Sequence, residues 1–418
     1  MNIWIINPAA APPREGAGTR HFDFARRLAA RNHDVTLVAS SISHLGAPYE
    51  ALGEVKAARI EVIDGVRFLW LPGLSYAGNG ARRLQGMLDT ARRIWSGRDL
   101  AALPRPDVIV GSSPHPFGAF GAMLLARRMR VPFVLEIRDV WPASITTTGK
   151  LKPWHPLIIL LAWMERALYR GAEQIITLLP GTPNHIARHG GRRDRITWIS
   201  NGADLERAGP PRPQPDRAGL QIVYIGTVGL WYGIDTAIEA MALIKDRPEA
   251  RDISLTFIGG GTEEARLKAD CEARGLSSVS FFGRIPKAEV SSRLAEYDAC
   301  MAIVKDAPLY REGGVALNKL FDYLAAGRPI LFSSSAYNDP VADAGAGYTS
   351  PGGDAAALAQ NILKLAAATT AERAALGAAG RAHVAARYNF DTLTGALEEV
   401  LEKARRGDHA PGGPSRTA

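Results

Sequence analysis

The chain has 418 residues, 46% of them hydrophobic and 22% charged, the composition of a soluble globular protein with room for two domains. Its two cysteines, Cys271 and Cys300, have no metal-ligand spacing and exclude a disulfide framework, so a reducing compartment is expected. The net charge of +8 is uneven, with 26 Lys and Arg against 15 Asp and Glu in residues 1–200 and 24 against 27 in the rest. The basic half calls for an anionic surface or ligand; its arginines are not interleaved with aromatic residues as in nucleic-acid modules, so nucleic acid is set aside.

The apolar run 3–6 ends in Asn7-Pro8 and reads as a buried first strand; with no signal peptide ahead of it, the protein is expected to stay in the cytoplasm. The loop PAAAPPREGAGTRH follows, then an amphipathic helix, FDFARRLAARNH. Strand, glycine loop and helix make a nucleotide-binding layout of the doubly wound kind, with Gly16 and Gly18 as candidate ligand contacts. The loop lacks the third glycine of a dinucleotide fingerprint, which argues against a nicotinamide-dependent oxidoreductase.

Residues 35–39 form the next strand, and EVIDGVRFLWL reads as two strands joined at Asp64-Gly65 by a hairpin turn. DVIVGSSPHPFG and VPFVLEIRDVWP are continuous apolar strands ending in polar residues, the pattern of a parallel sheet covered on both faces. In such sheets the carboxyl ends of strands open into the binding crevice, which places Ser112, Ser113, His115, Arg138 and Asp139 where chemistry occurs. His115 reads equally as a loop histidine. Arg138 with Asp139 reads either as a structural ion pair or as a ligand contact, because a charged pair directly after a buried strand must offset its desolvation. The apolar run 157–164, with Trp154, Trp163, Lys150, Lys152, Arg166 and Arg170 in or around it, is too short to cross a bilayer. It is either a helix buried in the first domain or one resting on an anionic membrane surface.

LERAGPPRPQPDRAG, with four prolines, has the composition of a linker, assigned to residues 205–218. Strand and helix alternation then restarts with QIVYIG, ISLTFIGGG, VSFFG and ACMAIV. A first domain is therefore expected over 1–204 and a second, also doubly wound, over 219–388. Within the second, the stretch GVALNKLFDYLAAGRPIL holds a helix preceded by Gly313 and Gly314 and ended by Gly327 and Arg328-Pro329. Its apolar face is Leu320, Phe321 and Leu324; its polar patch is Asn318, Lys319 and Asp322. A lysine in the first turn, where unpaired N–H groups already carry positive charge, is unfavourable unless an anion sits against it. That makes a candidate phosphate site, with a solvated surface helix as the alternative. The last helix, 389–406, is expected to cross back to the first domain, and residues 407–418 to form a disordered tail.

Taken together, GSSPHPF, EIRDVWP, LLPG, WISNGAD and NKLFDYLAAGRP resemble the retaining family 4 glycosyltransferases over nearly the full chain. More narrowly they resemble the bacterial branch of N-acetylfucosamine transferases that serves O-antigen and capsule assembly. The resemblance implies an α/β fold of the GT-B kind, two Rossmann-like doubly wound domains facing across a cleft, with acceptor in the first and nucleotide-sugar donor in the second. It implies transfer of a hexosyl or N-acetylhexosaminyl group, with retention, from a UDP-sugar to a polyprenyl-diphosphate-linked saccharide at the anionic inner face of the membrane.

By position, Asp322 matches the second glutamate of the family's paired-glutamate motif, which holds the donor ribose. Gly314 stands where the first glutamate belongs, with Glu312 as its substitute. Thr227 and Tyr232 occupy the places of a diphosphate-binding arginine and lysine. Neutralisation of the diphosphate therefore passes to Lys319, Arg311 or Arg138, helped by backbone N–H groups of Gly229 and of the loop holding Gly16 and Gly18. Asn201 and Asn318 are grouped with these donor-binding residues. Arg138 stands where many relatives have a histidine close to the transferred sugar, and with Asp139 and His115 it makes the expected catalytic set. No cofactor and no metal are expected, since no Asp-x-Asp stands at a strand end. Two other readings share the architecture: a nucleotide-sugar 2-epimerase, and a non-catalytic nucleotide-sugar or glycan-binding module.

Overall fold

The structure of the protein is a computed structural model, and it describes every residue except 16–17, 44–45, 51, 54, 77, 79, 147–150, 230–231 and 408–418. Gly16, Lys150 and the expected C-terminal tail beyond Gly407 thus lie outside the described residues. The chain divides into two compact units, one of Met1–Ser200 with the C-terminal stretch from Phe390, the other of Asn201–Asn389.

The first unit carries an eight-stranded sheet. Its strands are β1 (Asn2–Ile6), β2 (Asp34–Ser40), β3 (Arg59–Ile63), β4 (Val66–Leu71), β5 (Val108–Ser112), β6 (Phe133–Ile137), β7 (Gln174–Thr177) and β8 (Ile196–Trp198). They lie in the order β3-β4-β2-β1-β5-β6-β7-β8. Only β3 and β4 pair antiparallel, and their turn residues Asp64 and Gly65 both have positive φ, 47° and 80°. That is the geometry a two-residue type I′ hairpin needs. β5, β6 and β7 are buried throughout, which is why they read as unbroken apolar runs.

Alternate residues of β1 point to opposite faces of the sheet: Ile3 and Ile5 join one buried cluster, Trp4 and Ile6 the other. The first cluster is completed by the C-terminal helix Phe390–Arg406, which contributes Leu393, Leu397, Val400, Leu401 and Ala404 as one stripe. Phe390 meets Phe24 edge-on at 5.3 Å, while Arg27 and Arg31 pair with Asp391 and Glu398 at 2.9 and 2.8 Å.

The second unit has six parallel strands: β9 (Leu220–Ile225), β10 (Ile253–Ile258), β11 (Val279–Gly283), β12 (Ala299–Ile303), β13 (Ile330–Ser333) and β14 (Gly347–Ser350). Their order is β11-β10-β9-β12-β13-β14. The chain winds outward from β9 to β11 and returns beside β9 as β12, so a crevice opens at the carboxyl ends of β9 and β12. In the first unit the same reversal falls between β1 and β5.

The helix starts at Asn318, which puts Lys319 in its first turn as expected; Gly314 has φ +93° and ψ −169°, which ends the preceding helix Pro308–Gly313 and sends residues 314–317 out as a loop. One local expectation is revised. The proline-rich stretch 205–218 is not a free tether. Leu205–Ala208 is a helical turn capped by Asp204, and the buried Arg328 guanidinium donates to the carbonyls of Pro213 and Ala295 at 2.9 and 2.7 Å and to Gln214 Oε1 at 3.1 Å. Three unpaired backbone or amide acceptors are thereby satisfied by one side chain.

Candidate functional site

In the second unit the helix Asn318–Ala326 is seated on the end of β9 by Tyr323. Its hydroxyl accepts from Ile225 N at 2.7 Å and donates to Ile225 O at 3.1 Å. One turn earlier, Lys319 lies over Gly226, the residue that follows β9. A Cβ at Gly226 would stand 2.8 Å from both Cε and Nζ of Lys319 and displace the end of that side chain, and φ there is +151°, a conformation that favours glycine. Gly259, after β10, is held just as tightly: its Cβ would fall 1.9 Å from the Gly226 carbonyl oxygen.

The Lys319 ammonium donates to Tyr224 Oη and lies 3.8 and 4.1 Å from the ring centres of Tyr224 and Tyr232. Among the described residues no carboxylate pairs with it. Burial pushes its pKa well below the ordinary lysine value. Burial among π faces disfavours the charged form of this lysine, and an anion beside it would offset that cost. The helix start agrees, since Leu317 offers no side-chain cap to the first-turn N–H groups. The loop before it is braced: Asn338 takes the Val315 N–H at 2.8 Å and donates to its carbonyl at 3.1 Å, and Asn201 Nδ2 donates to Ala316 O at 2.6 Å.

Other residues named for this unit are placed less simply. Asp322 is ion-paired with Lys287 at 2.6 Å through Oδ2. Arg311 is exposed and already paired with Asp306, Nε to Oδ1 at 2.7 Å. Glu312 and Asn318 are exposed, and the Gly229 carbonyl accepts from Tyr232 N at 3.1 Å. Asn201 is buried, and one of its bonds holds the loop and not a ligand.

In the first unit the carboxyl ends of β1, β5 and β6 meet over a buried charged cluster. Glu136 on β6 accepts from Arg20 Nε at 2.8 Å, from Ser112 Oγ at 2.7 Å, and bonds His21 Nε2 at 2.6 Å. Asn7 holds the other ring nitrogen of His21 at 3.0 Å. Burial works against the Glu136 charge, but His21 and Arg20 outweigh it and keep the carboxyl well below the usual range. Arg20 also donates to the carbonyls of Ile199, at 2.9 Å, and Ser200.

Above this cluster, Ser113 Oγ accepts from Arg138 N at 3.0 Å and donates to Asp139 O at 3.3 Å, which fixes the turn after β6. Among the described residues the buried Nε of Arg138 has no hydrogen-bond partner. No hydrogen bond among the described residues joins Arg138 to Asp139; burial pushes the Asp139 carboxyl up, and the Arg138 charge works against that shift. His115 caps the helix Pro116–Met129, its Nδ1 accepting from Gly118 N at 2.8 Å; burial pushes its pKa down to about 4, so the ring is neutral. His115 and Asp139 line a cavity of about 240 Å³ with Pro8, Ser40, Tyr76 and Arg83. Gly18 is exposed just before the helix Arg20–Ala30.

The named residues therefore fall into two groups, Lys319 with Gly229 and Asp322 in one unit and His115 with Asp139 and Arg138 in the other. Sequence reasoning passed over Arg20, His21, Glu136, Tyr224 and Lys287. Only Glu136 left a signal, as a carboxylate inside the apolar strand FVLEI that must be paired.

Residues 15–202 match the family described as Glycosyl transferase 4-like domain, and residues 219–368 match Glycosyl transferases group 1. Among curated proteins the chain is similar to one named as a candidate colanic acid biosynthesis glycosyl transferase, WcaI of Escherichia coli (strain K12). The two are 24% identical over 364 residues, 81% of this chain and 84% of that one. Among solved structures it is similar to sucrose-phosphate synthase from Thermosynechococcus elongatus, with TM-score 0.73, 17% identity, and coverage of 97% of this chain and 100% of that one. It is also similar to Anabaena Alr3699/HepE in complex with UDP and glucose, with TM-score 0.65, 14% identity, and coverage of 96% and 99%.

Proposed function

The chain belongs to the family 4 glycosyltransferases and has their GT-B fold, and from that premise we propose that it moves a hexosyl or N-acetylhexosaminyl group from a UDP-sugar, with retention, to a lipid-linked saccharide in cell-surface polysaccharide assembly. The observation that carries this reading is Lys319, half-buried with aromatic neighbours and, among the described residues, no carboxylate, at the uncapped start of a helix. A nucleoside diphosphate supplies the missing anion and restores the full charge that burial opposes. As the bond to the sugar breaks, negative charge grows on the leaving diphosphate. One well-placed donor there lowers the barrier by roughly 3–4 kcal/mol on the usual mutational scale.

Asp322 keeps the family's ribose role through Oδ1, since Lys287 holds Oδ2. Arg138, with its unpartnered Nε, and Asp139 orient the reacting sugar. HepE was solved with UDP and glucose, which favours a UDP-sugar, and WcaI is named for colanic acid biosynthesis, which favours a surface polysaccharide. For the lipid-linked acceptor the support is the helix Pro156–Gly171. Its outer side exposes Ile159, Leu160 and Trp163, next to Trp154, with Lys152, Arg166 and Arg170 exposed around them. That is the composition of a surface that rests on anionic lipid. Among the described residues no helix is long and apolar enough to cross a membrane.

The test is thermal unfolding with UDP, GDP, ADP and dTDP. A ligand at about 100 times its Kd stabilises the native state by about 2.7 kcal/mol. UDP is expected to raise the Tm of the wild-type protein and to leave Lys319→Ala unmoved. A cooperatively melting wild-type protein that responds to none of the four overturns the donor-site assignment.

A further inference from the structure

Glu165, on the helix Pro156–Gly171, is a buried carboxylate with its side chain 6% exposed. Tyr169 Oη donates to its Oε1 at 2.9 Å, and His185 Nε2 lies 2.7 Å from the same oxygen. Among the described residues no lysine or arginine pairs with it. A buried carboxylate is costly unless it is paired, and a cation shared with the neighbouring imidazoles would pair it.

His185 belongs to the helix Thr182–Arg188 and His189 is its C-cap residue. Four residues apart, they share one side, and their rings stack with centres 4.0 Å apart. The His189 Nδ1 donates to the His185 carbonyl oxygen at 2.8 Å. That bond sets the tautomer and leaves Nε2 with its lone pair, the arrangement usual for a metal-binding imidazole. Ligand atoms of Glu165, His185 and His189 all lie within 4.8 Å of one another. Around one tetrahedral ion with bonds of about 2.1 Å, such atoms stand roughly 3.4 Å apart. Closing that gap on an ion requires the two half-exposed rings to turn toward it. None of the three residues belongs to either group described above.

We propose that Glu165, His185 and His189 bind a divalent first-row transition-metal ion, with zinc the best match to two imidazoles, one carboxylate and a water in the fourth position. The ion neutralises the buried carboxylate and ties the helix Pro156–Gly171 to the end of the helix Thr182–Arg188. It acts as a brace within the first unit, and Tyr169 holds the carboxylate in position for it.

The test uses the full-length protein without a histidine tag, stripped by chelator and titrated with Co²⁺ and then Zn²⁺. One equivalent of Co²⁺ is expected to give the intense visible bands of a four- or five-coordinate site, Zn²⁺ to abolish them by displacement, and Zn²⁺ to raise the Tm. His189→Ala leaves the bonds among Glu165, Tyr169 and His185 intact, so it is expected to fold and to lose the bands. Glu165→Gln provides a second such variant, and Tyr169→Phe is expected to weaken metal binding roughly tenfold. No bands in the folded wild-type protein, or bands undiminished in folded His189→Ala, overturns the site.

Discussion

At His115 one ring nitrogen serves as a helix cap, and the cost of protonating it is written into the stability of the protein. Burial holds the folded pKa at about 4, against about 6.5 for an exposed histidine. Between these values the unfolded chain takes up a proton that the folded chain refuses. The group's contribution is therefore complete above about pH 6.5 and is lost as the pH falls toward 4. His21 is pushed in the same direction by burial. His115→Asn keeps a capping oxygen and is expected to flatten part of that decline, recovering at most about 3 kcal/mol at its lower end. Urea unfolding at a series of pH values reads it, and an unchanged decline would mean that the folded ring accepts the proton. The sequence shows His115 at a strand end, yet nothing local says that its Nδ1 is taken by Gly118. Glu136 is similar: its charge is conspicuous in FVLEI, but Arg20 and His21 are over a hundred residues away and only the sheet brings them to it.

Among the elements, the helix Pro156–Gly171 is buried on one side, as one of its sequence readings expects, and exposes apolar side chains on the other. Ile158, Leu161, Met164 and Leu168 are buried, while Trp163 is 56% and nearby Trp154 73% exposed. An apolar outer side with cations around it should bind anionic lipid, more weakly as salt rises. The double variant Trp154→Ser with Trp163→Ser is expected to bind phosphatidylglycerol vesicles roughly tenfold more weakly, with its Tm nearly unchanged. Equal sedimentation of both proteins with such vesicles would remove the membrane contact from the proposed function. The helix Asn318–Ala326 was legible in its apolar face and in its end, where Gly327 takes φ +67°. Its start was legible as well, with Lys319 in the first turn; what was not is the loop 314–317 that Asn338 and Asn201 hold in place. Composition likewise marked 205–218 as a tether, and Arg328, distant in sequence, makes it part of the second unit.

For the whole molecule, the two units differ in how they depend on chain continuity. The second is one unbroken segment with its own sheet and core. Residues 201–389 expressed alone are expected to melt cooperatively and to bind UDP within about tenfold of the full chain, since the Lys319 site lies wholly inside them. The first unit needs its distant C-terminal helix. Leu393, Leu397, Val400 and Leu401 are each buried in its core, and at about 1.5–3 kcal/mol per buried aliphatic side chain their loss rivals the entire stability of a typical domain. Residues 1–200 alone are therefore expected to be unfolded or aggregated by circular dichroism and light scattering. A cooperatively folded 1–200 would show that the helix is dispensable.

The sequence by itself determined the fold class, the alternation of strands and helices in two rounds, and the helix that carries Lys319 in its first turn. These depend on periodicity, glycine punctuation and the sign of charge in a first helical turn, all of which act over a few residues. Only the tertiary structure decided that Lys319 sits among tyrosines without a carboxylate, that Asp322 and Arg311 already have partners, and that Glu136, Arg20 and His21 share one buried cluster. A side chain's partner depends on which strands lie side by side, and strand order is set by packing over the whole chain, not by any stretch of it.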